Sequence, residues 1–163
     1  MFVRTASDRD LTAVRDLLVE TWHATYDSIY GIDCVTGITD EWHSIAALKA
    51  RLTKPNAEFL VADDGQRIGG MAYAAATKDP TVVVLHQLYI LPNLQRGGLG
   101  AMLLQEIEDS FPEARTIRLE VEPANAAAVA FYIANGFVEA GSTSNCGNPA
   151  SGIPAMILEK QLG

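Results

Sequence analysis

The 163-residue chain has the usual size of one domain, long enough to bury a core and too short for two comfortable domains. Its apolar fraction of 48% and charged fraction of 20% are those of an ordinary globular protein and exclude a disordered chain. The formal net charge of -8 argues against a nucleic-acid partner, because phosphate binding needs clustered Lys and Arg.

A short strand and a long helix are predicted at the start of the sequence. The strand covers residues 2–5, and Ser7 with Asp10 three residues later resembles a capping box at a helix start. The helix is expected to run to about Tyr26. Its apolar residues recur at helical spacing and form one stripe toward the core: Leu11, Val14, Leu17, Leu18 and Trp22.

A second helix is predicted after Gly31 and Gly37 have interrupted the helical pattern. It begins at about Thr39 and stops before Pro55, because the residue preceding a proline disfavours helical backbone. One face of this helix carries Trp42, Ile45, Leu48 and Leu52.

Three strands are predicted next. Residues 58–62 and 67–74 are joined by an Asp-Gly turn, which supplies the positive φ of a hairpin, so these strands should be antiparallel. Residues 81–91 are too continuously β-branched and aliphatic for an exposed strand. They should therefore lie at the centre of the sheet, until Pro92 ends the strand.

The remaining predicted elements alternate helix and strand: helices over 98–109 and 125–135, strands over 116–121, 137–140 and 153–160. Gly136 suits a left-handed C-terminal cap, and a polar loop over 141–152 separates the last two strands. On the helix over 98–109 the residues expected to pack on the sheet are Leu99, Met102, Leu103 and Ile107. The order β-α-α-β-β-β-α-β-α-β-β predicts an α/β fold, a central mixed sheet of about seven strands flanked by about four helices.

No membrane, metal or disulfide site is predicted. No apolar run reaches the roughly 20 residues of a membrane span, and the first eight residues lack a leader pattern, so a cytoplasmic protein is expected. Cys34 and Cys146 make no disulfide framework and have no metal-ligand spacing.

A glycine-rich turn between a buried strand and a helix is the most informative stretch. It runs over residues 95–100 as Gln-Arg-Gly-Gly-Leu-Gly. Amides at a helix start have no partner within the helix and lie at the positive end of its dipole, and glycines let a pyrophosphate approach closely. Arg96 could add a charge-assisted contact. Tight packing of helix on strand would also explain the glycines.

Two other phosphate motifs fit this turn poorly. The Walker loop requires Gly-Lys-Ser/Thr, which is absent. The dinucleotide fingerprint begins with Gly98 and Gly100 and has Glu120 about 20 residues on, but Leu103 stands where its third glycine belongs. Antiparallel strands also precede the turn, so a nucleotide-dependent oxidoreductase is disfavoured.

The chain resembles the GNAT superfamily of N-acetyltransferases in two motifs. The family pattern Gln/Arg-x-x-Gly-x-Gly/Ala directly after a strand is matched in full by residues 95–100. The second pattern is an Asn, a helix with Ala and Phe-Tyr, and then Gly-Phe, and it is matched by Asn125, Ala128, Phe131, Tyr132, Gly136 and Phe137. The element order is also the family's, so the resemblance implies one N-acetyltransferase domain over residues 1–163.

The resemblance implies acetyl-CoA as the co-substrate. Leu88, Tyr89 and Ile90 would offer main-chain groups to the pantetheine arm, as an added strand would receive them. The residues that would hold the pyrophosphate are Gln95, Arg96, Gly97, Gly98, Leu99, Gly100 and Ala101. Asn125 would hydrogen-bond the pantetheine, although a plain helix N-cap would also explain it.

By the same resemblance, the amine attacks the thioester directly in a ternary complex, with no cysteine nucleophile. Tyr132 would be the general acid for the departing thiolate, unless it only packs under the cofactor. Many relatives carry a glutamate on the central strand where this chain has His86 and Gln87. His86 could exchange the proton of the amine or be a structural histidine, and Glu120 is the reserve candidate for the base. The oxyanion would be stabilised by the backbone N–H of Ile90.

The acceptor cleft of the family lies between the segment joining the first two helices and the loop between the last two strands. Here these carry Ser142 to Pro154 on one side and, on the other, Trp22, His23, Tyr26, Asp27 and Tyr30. Aromatic rings and a carboxylate suit an amine. Trp22 and Trp42 also lie on core stripes, so packing would explain both.

The predicted function is transfer of an acetyl group from acetyl-CoA to a primary amine, of a small molecule, a peptide or a protein. An acyl-CoA-binding sensor with little turnover is the alternative, favoured by the missing carboxylate on the central strand. The resemblance leaves a homodimer open, and no feature of the sequence decides it.

Overall fold

The computed structural model describes residues 1–144 and 153–162. Over these residues it has seven strands and five α-helices. The strands are β1 Phe2–Thr5, β2 Ala57–Asp63, β3 Ile68–Ala76, β4 Val82–Ile90, β5 Thr116–Val121, β6 Val138–Thr143 and β7 Ala155–Gln161. The helices are α1 Leu11–Tyr30, α2 Ile32–Trp42, α3 Ile45–Thr53, α4 Leu99–Ser110 and α5 Ala126–Ala134.

The strands form one mixed sheet in the order β1-β2-β3-β4-β5-β7-β6. The position of β4, fourth of seven, confirms that the apolar run over 81–91 is a central strand. β4 and β5 pair in parallel, with Val82 opposite Thr116 and Val84 opposite Arg118. β7 is antiparallel to both of its neighbours, β5 and β6. The predicted fold class is therefore confirmed.

The helical region before β2 differs from the prediction. The single helix expected from Thr39 to Pro55 is two helices, α2 and α3, separated by His43 and Ser44. Ser44 caps α3, because its hydroxyl accepts a hydrogen bond from the amide of Ala47 at 3.1 Å. Gly37 does not interrupt a helix but lies inside α2, and α1 continues beyond Tyr26 to Gly31, whose φ of +87° ends it.

Local signals at two turns are confirmed. The carboxylate of Asp10 accepts a hydrogen bond from the amide of Ser7 at 2.8 Å, as in a capping box. At the β2–β3 turn the amide of Asp64 donates to the carbonyl of Arg67 at 3.2 Å, and Gly65 has the positive φ, +95°.

On α4 the prediction of Met102 as a core residue is wrong: its side chain is 40% exposed, and Leu104 is buried instead.

The chain divides into two compact units. The first contains Met1–Ala74 and Gln87–Ser110, and the second contains Ala75–His86 and Phe111–Gly163. The first unit has a core of aliphatic and aromatic residues from α1, α3, β2 and β3: Leu11, Val14, Leu17, Leu18, Leu48, Phe59, Val61, Met71 and Tyr73. In the second unit the buried apolar residues include Val83, Leu85, Ile117, Leu119, Phe137 and Leu158.

No helix of the described chain combines the length and the apolar character that a membrane span requires.

Candidate functional site

The glycine-rich turn of the first unit leaves several amides at the start of α4. Arg96 and Gly98 have positive φ values of +67° and +84°. The first helical bond after the turn is from the amide of Met102 to the carbonyl of Gly98, at 3.1 Å. The amides of Leu99 to Ala101 precede this bond, so they have no acceptor within the helix and can donate to an anion.

Two glycines of β3 bring this turn close to the sheet. A Cβ on Gly69 would lie 2.6 Å from Cδ1 of Leu94, and a Cβ on Gly70 would lie 2.7 Å from Cδ1 of Ile90. A Cβ at either position would displace the neighbouring side chain, so the two glycines let Leu94 and Ile90 pack closely on β3. Leu99, the first residue of α4, is buried. The turn is therefore packed against the protein both before it, at Leu94, and after it, at Leu99.

At the end of β4, successive residues direct their main-chain N–H and C=O groups alternately toward β3 and toward the opposite edge of the strand. The amide of Leu91 donates to the carbonyl of Gly69 on β3 at 2.9 Å. Since neighbouring residues of a strand direct their main-chain groups to opposite edges, Leu88 and Ile90 direct theirs away from β3, and Tyr89 directs its own toward β3. On that far edge Gln95 Nε2 donates to the carbonyl of Ile90 at 3.1 Å, which links the strand end to the turn.

The residues predicted for the acceptor lie on α1, in two environments. Trp22 and Tyr26 are buried, with ring centroids 4.7 Å apart, so the packing interpretation of Trp22 is supported. Tyr30 is partly buried and its ring is 5.9 Å from that of Tyr26. The carboxylate of Asp27 is already paired, since its Oδ1 lies 2.6 Å from Nδ1 of His23.

A buried polar pair on the same unit was missed by the sequence analysis. His43 is 1% exposed, and Arg51 Nη2 lies 3.3 Å from its Nδ1 and donates to the carbonyl of Trp42 at 2.6 Å. Burial, with the positive charges of Arg51 and Arg15, lowers the pKa of His43 from 6.5 to about 3, and burial lowers the pKa of Arg51. The sequence has no local signal for this pair. One helix was predicted over both residues, whereas the structure has a break between α2 and α3, and His43 is buried at that break.

The second unit contains Tyr132 and Asn125. Tyr132 is buried on α5, and its ring packs edge-on against those of Phe131 and Phe137, with centroids 5.3 and 5.4 Å away. Asn125 caps α5, since its Oδ1 accepts from the amide of Ala128 at 3.3 Å. The N-cap interpretation of Asn125 is thus correct, and a second role toward a cofactor stays a prediction.

His86 and Glu120 lie on the same face of the second unit. Val84 is opposite Arg118 in the β4–β5 register, and alternate residues of a strand share a face, so His86 and Glu120 follow them onto that face. Both side chains are exposed, which contradicts the interpretation of His86 as a buried structural histidine. A second acid, Glu122, is buried and was not predicted; the signal for it was an acid directly after the strand β5.

The last predictions concern the loop between β6 and β7 and the two cysteines. Most of the predicted loop side of the acceptor cleft, and Cys146, lie outside the described residues. Cys34 is a free, exposed thiol. Over residues 1–144 and 153–162 no three His, Cys, Asp or Glu side chains are grouped to hold a metal ion.

Comparison with solved structures supports the fold. The chain superposes on a PaiA N-acetyltransferase from Thermoplasma acidophilum, crystallised with coenzyme A, with a TM-score of 0.86 and 23% identity over 99% of this chain and 98% of that one. A ribosomal-protein-S18-alanine N-acetyltransferase from Escherichia coli gives a TM-score of 0.73 at 20% identity, over 99% of this chain and 94% of that one.

Sequence comparison adds a relative and a family. The chain is 40% identical over 84 residues to the [ribosomal protein bS18]-alanine N-acetyltransferase of Salmonella typhimurium (strain LT2), a match that covers 50% of this chain and 53% of the relative. The chain thus spans about half the length of the curated relative it matches. The model of the acetyltransferase (GNAT) family matches residues 11–137, which include β4, the glycine-rich turn and α5. From this match and the shared fold, the chain belongs to the acetyltransferase (GNAT) family.

Proposed function

We propose that the protein transfers an acetyl group from acetyl-CoA to a primary amine by direct attack in a ternary complex. The observation that carries this proposal is the start of α4, where the amides of Leu99 to Ala101 follow a glycine-rich turn in a chain of this family. Such an arrangement fits the pyrophosphate of coenzyme A, because it offers several donors and no side chain near Gly98.

Coenzyme A would be held along the turn and the adjacent strand end. Residues 95–101 would bind the pyrophosphate, with Arg96 as a charged contact: among the described residues no carboxylate lies within 4.0 Å of its nitrogens. The main-chain groups of Leu88 and Ile90 point to the edge of β4 that the pantetheine arm would use. Those of Tyr89 are directed toward β3, and its ring lies 6.4 Å from that of Trp22, so the main-chain contact predicted for Tyr89 is not proposed. Asn125 is proposed as a further contact to the pantetheine.

Three side chains of the second unit are proposed for proton transfer. Tyr132 would donate its phenolic proton to the thiolate as it leaves. His86 and Glu120 share one exposed face of the sheet, so either can pass the proton of the amine to water. The backbone N–H of Ile90 would stabilise the oxyanion, since it is directed away from β3.

The acceptor proposed is a primary amine of a small molecule or of a peptide or protein. The relative from Salmonella acts on an alanine of a ribosomal protein, which favours a peptide amine, and aromatic side chains around Tyr26 and Tyr30 suit a cationic group. The single-domain organisation, a cytoplasmic location and a homodimer stay predictions.

Release of free thiol from acetyl-CoA across a panel of amines tests the function. We expect at least one primary amine to raise thiol release above the rate in buffer. If acetyl-CoA binds and no amine of the panel raises the rate, the alternative, an acyl-CoA sensor, replaces the transferase.

The role of Tyr132 is tested by Tyr132→Phe, which keeps the ring that packs against Phe137. We expect kcat to fall about 10- to 100-fold, because a positioned general acid contributes on this order. The melting temperatures of variant and parent are compared in parallel, which separates a loss of chemistry from a loss of packing. A kcat within a factor of two of the parent at every pH would exclude the acid role.

A further inference from the structure

Three buried nitrogen atoms of the first unit have no hydrogen-bond partner. They are Nε1 of Trp22 on α1, Nε2 of His43 at the α2–α3 junction and Nη1 of Arg51 on α3. Buried donors in folded proteins are nearly always paired, because an unpaired donor has given up its water without receiving a partner. Three such atoms together need an explanation.

The three side chains form one patch, which we call the donor patch: Trp22, His43 and Arg51. The ring of His43 is 5.7 Å from that of Trp22, and its Nδ1 is 3.3 Å from Nη2 of Arg51. The ring of Tyr89 lies over this patch, 6.4 Å from Trp22 and 6.5 Å from His43. The donor patch therefore lies against β4 at the residue between Leu88 and Ile90.

Two of the three unpaired atoms are donors whatever their surroundings, because the indole and guanidinium nitrogens can only donate. The third, Nε2 of His43, donates or accepts according to the ring tautomer. The other ring nitrogen, Nδ1, lies 3.3 Å from Arg51 Nη2, and the ring also has a hydrogen bond with the backbone of Trp42.

The charge of the donor patch is positive and unbalanced. Among the described residues no carboxylate oxygen lies within 4.0 Å of an Arg51 nitrogen, and its guanidinium instead lies 5.8 Å from the ring centroid of Tyr73. The neighbouring Arg15 is different, because its Nη2 pairs with Asp40 at 2.8 Å. A buried guanidinium without a carboxylate favours an anionic oxygen ligand.

We propose that the donor patch binds a carboxylate of the acceptor, so that the substrate is an amine that also carries a carboxylate. This inference rests on the proposed function and names its substrate class. A carboxylate offers about four lone pairs on two oxygens, which suit the fork of Arg51 and the indole N–H of Trp22. The contact of Tyr89 with the patch links the carboxylate to the strand whose Leu88 and Ile90 are proposed to bind the thioester arm.

Entry of the ligand requires movement at the α2–α3 junction. The three atoms have essentially no accessible surface. Trp42, the last residue of α2, is partly exposed and stands edge-on to Trp22 at 5.8 Å. The proposal therefore requires the ring of Trp42 to move away from Trp22 when the carboxylate binds.

A turnover experiment compares matched acceptors, each an amino acid and its carboxamide. We expect kcat/KM for the amino acid to exceed that for the carboxamide by about tenfold or more, since a site built to bond a polar group rejects the analogue that lacks it. Trp22→Phe, which removes one N–H and keeps a ring, should reduce this ratio. If carboxamides are used equally well, acetyl transfer stands and the carboxylate site is wrong.

A binding experiment tests carboxylate binding at the donor patch even if the protein acetylates none of these acceptors. N-acetylglycine and N-acetylglycinamide differ only in the carboxylate, and we expect the first alone to raise the melting temperature in a saturable way. Arg51→Met should abolish this rise, and the exposed Arg9→Met should retain it. Should Arg51→Met fail to fold, Trp22→Phe takes its place and must weaken binding at least threefold. Equal shifts with both compounds, or a shift that neither variant changes, would overturn the site.

Discussion

At the scale of single residues, the carboxylate of Asp10 has an unusual number of hydrogen bonds. It accepts from Nη1 and Nη2 of Arg4 at 2.8 and 2.9 Å and from the amide and hydroxyl of Ser7. Asp10→Asn removes the charge from this buried position, and we expect a loss of about 2–3 kcal/mol in the free energy of unfolding. Urea denaturation at pH 7 measures this loss.

The pH dependence of that loss provides the control. The hydrogen bonds from Arg4 hold the pKa of Asp10 well below its usual range. This stabilisation is complete above the ordinary carboxyl pKa near 3.8 and is lost as the pH falls below it. The difference between parent and Asp10→Asn should therefore narrow below pH 4, and a constant difference would contradict the ion-pair origin.

His43 predicts a pH dependence at higher pH. The unfolded chain binds a proton near pH 6.5, while the folded chain resists protonation until about pH 3. Stability is therefore full above pH 6.5 and falls as the pH drops, with a slope of up to about 1.4 kcal/mol per unit. His43→Gln should flatten this slope between pH 6.5 and 4 in urea titrations. Equal slopes for parent and variant would show that folding does not lower the pKa of His43.

At the scale of elements, the end of α5 depends on Gly136. Its φ is +97°, and a Cβ there would lie 3.2 Å from Cε of Lys160. We expect Gly136→Ala to lower the free energy of unfolding by about 1–2 kcal/mol, because alanine is strained in the left-handed region. Thermal denaturation measures the change.

Gly37 offers the matched control for that substitution. It lies inside α2 with ordinary helical backbone, and a Cβ there meets no atom within 4 Å. Gly37→Ala should therefore raise stability by about 0.5–1 kcal/mol. A loss of similar size in both variants would mean that the effect at Gly136 does not come from its φ.

The strands and the glycine-rich turn could be predicted because their signals are local. The apolar run of β4 and the Asp-Gly turn before β3 are each recognised from residues that are adjacent in the sequence. The break at Ser44 was missed because the stripe of Trp42, Ile45 and Leu48 stays in helical phase across it. The donor patch could not be predicted either, since Trp22, His43 and Arg51 are brought together only by the packing of three helices.

At the scale of the whole molecule, binding of acetyl-CoA should raise thermal stability. A ligand at about 100 times its Kd stabilises the folded state by about 2.7 kcal/mol, which for a chain of this size corresponds to about 5–10 °C. Scanning fluorimetry with acetyl-CoA, NAD and ATP tests this, and only acetyl-CoA is expected to give the full shift. A full shift with NAD instead would contradict the assignment of the glycine-rich turn.

The fold class was predictable from the order of elements, whereas the division of the chain into two compact units was not. The chain passes between the two units three times, after Ala74, His86 and Ser110, and β4 contributes residues to both. No sequence signal marks these crossings, because each falls within or directly after a regular element rather than in a Gly/Pro-rich linker.

The place of β7 between β5 and β6 has a consequence for a shortened polypeptide. β6 precedes β7 in the sequence, yet its neighbour in the sheet is β7. A polypeptide truncated after Thr143 would therefore carry β6 without a pairing strand, and limited proteolysis should cleave it there but spare the same segment in the protein that includes β7.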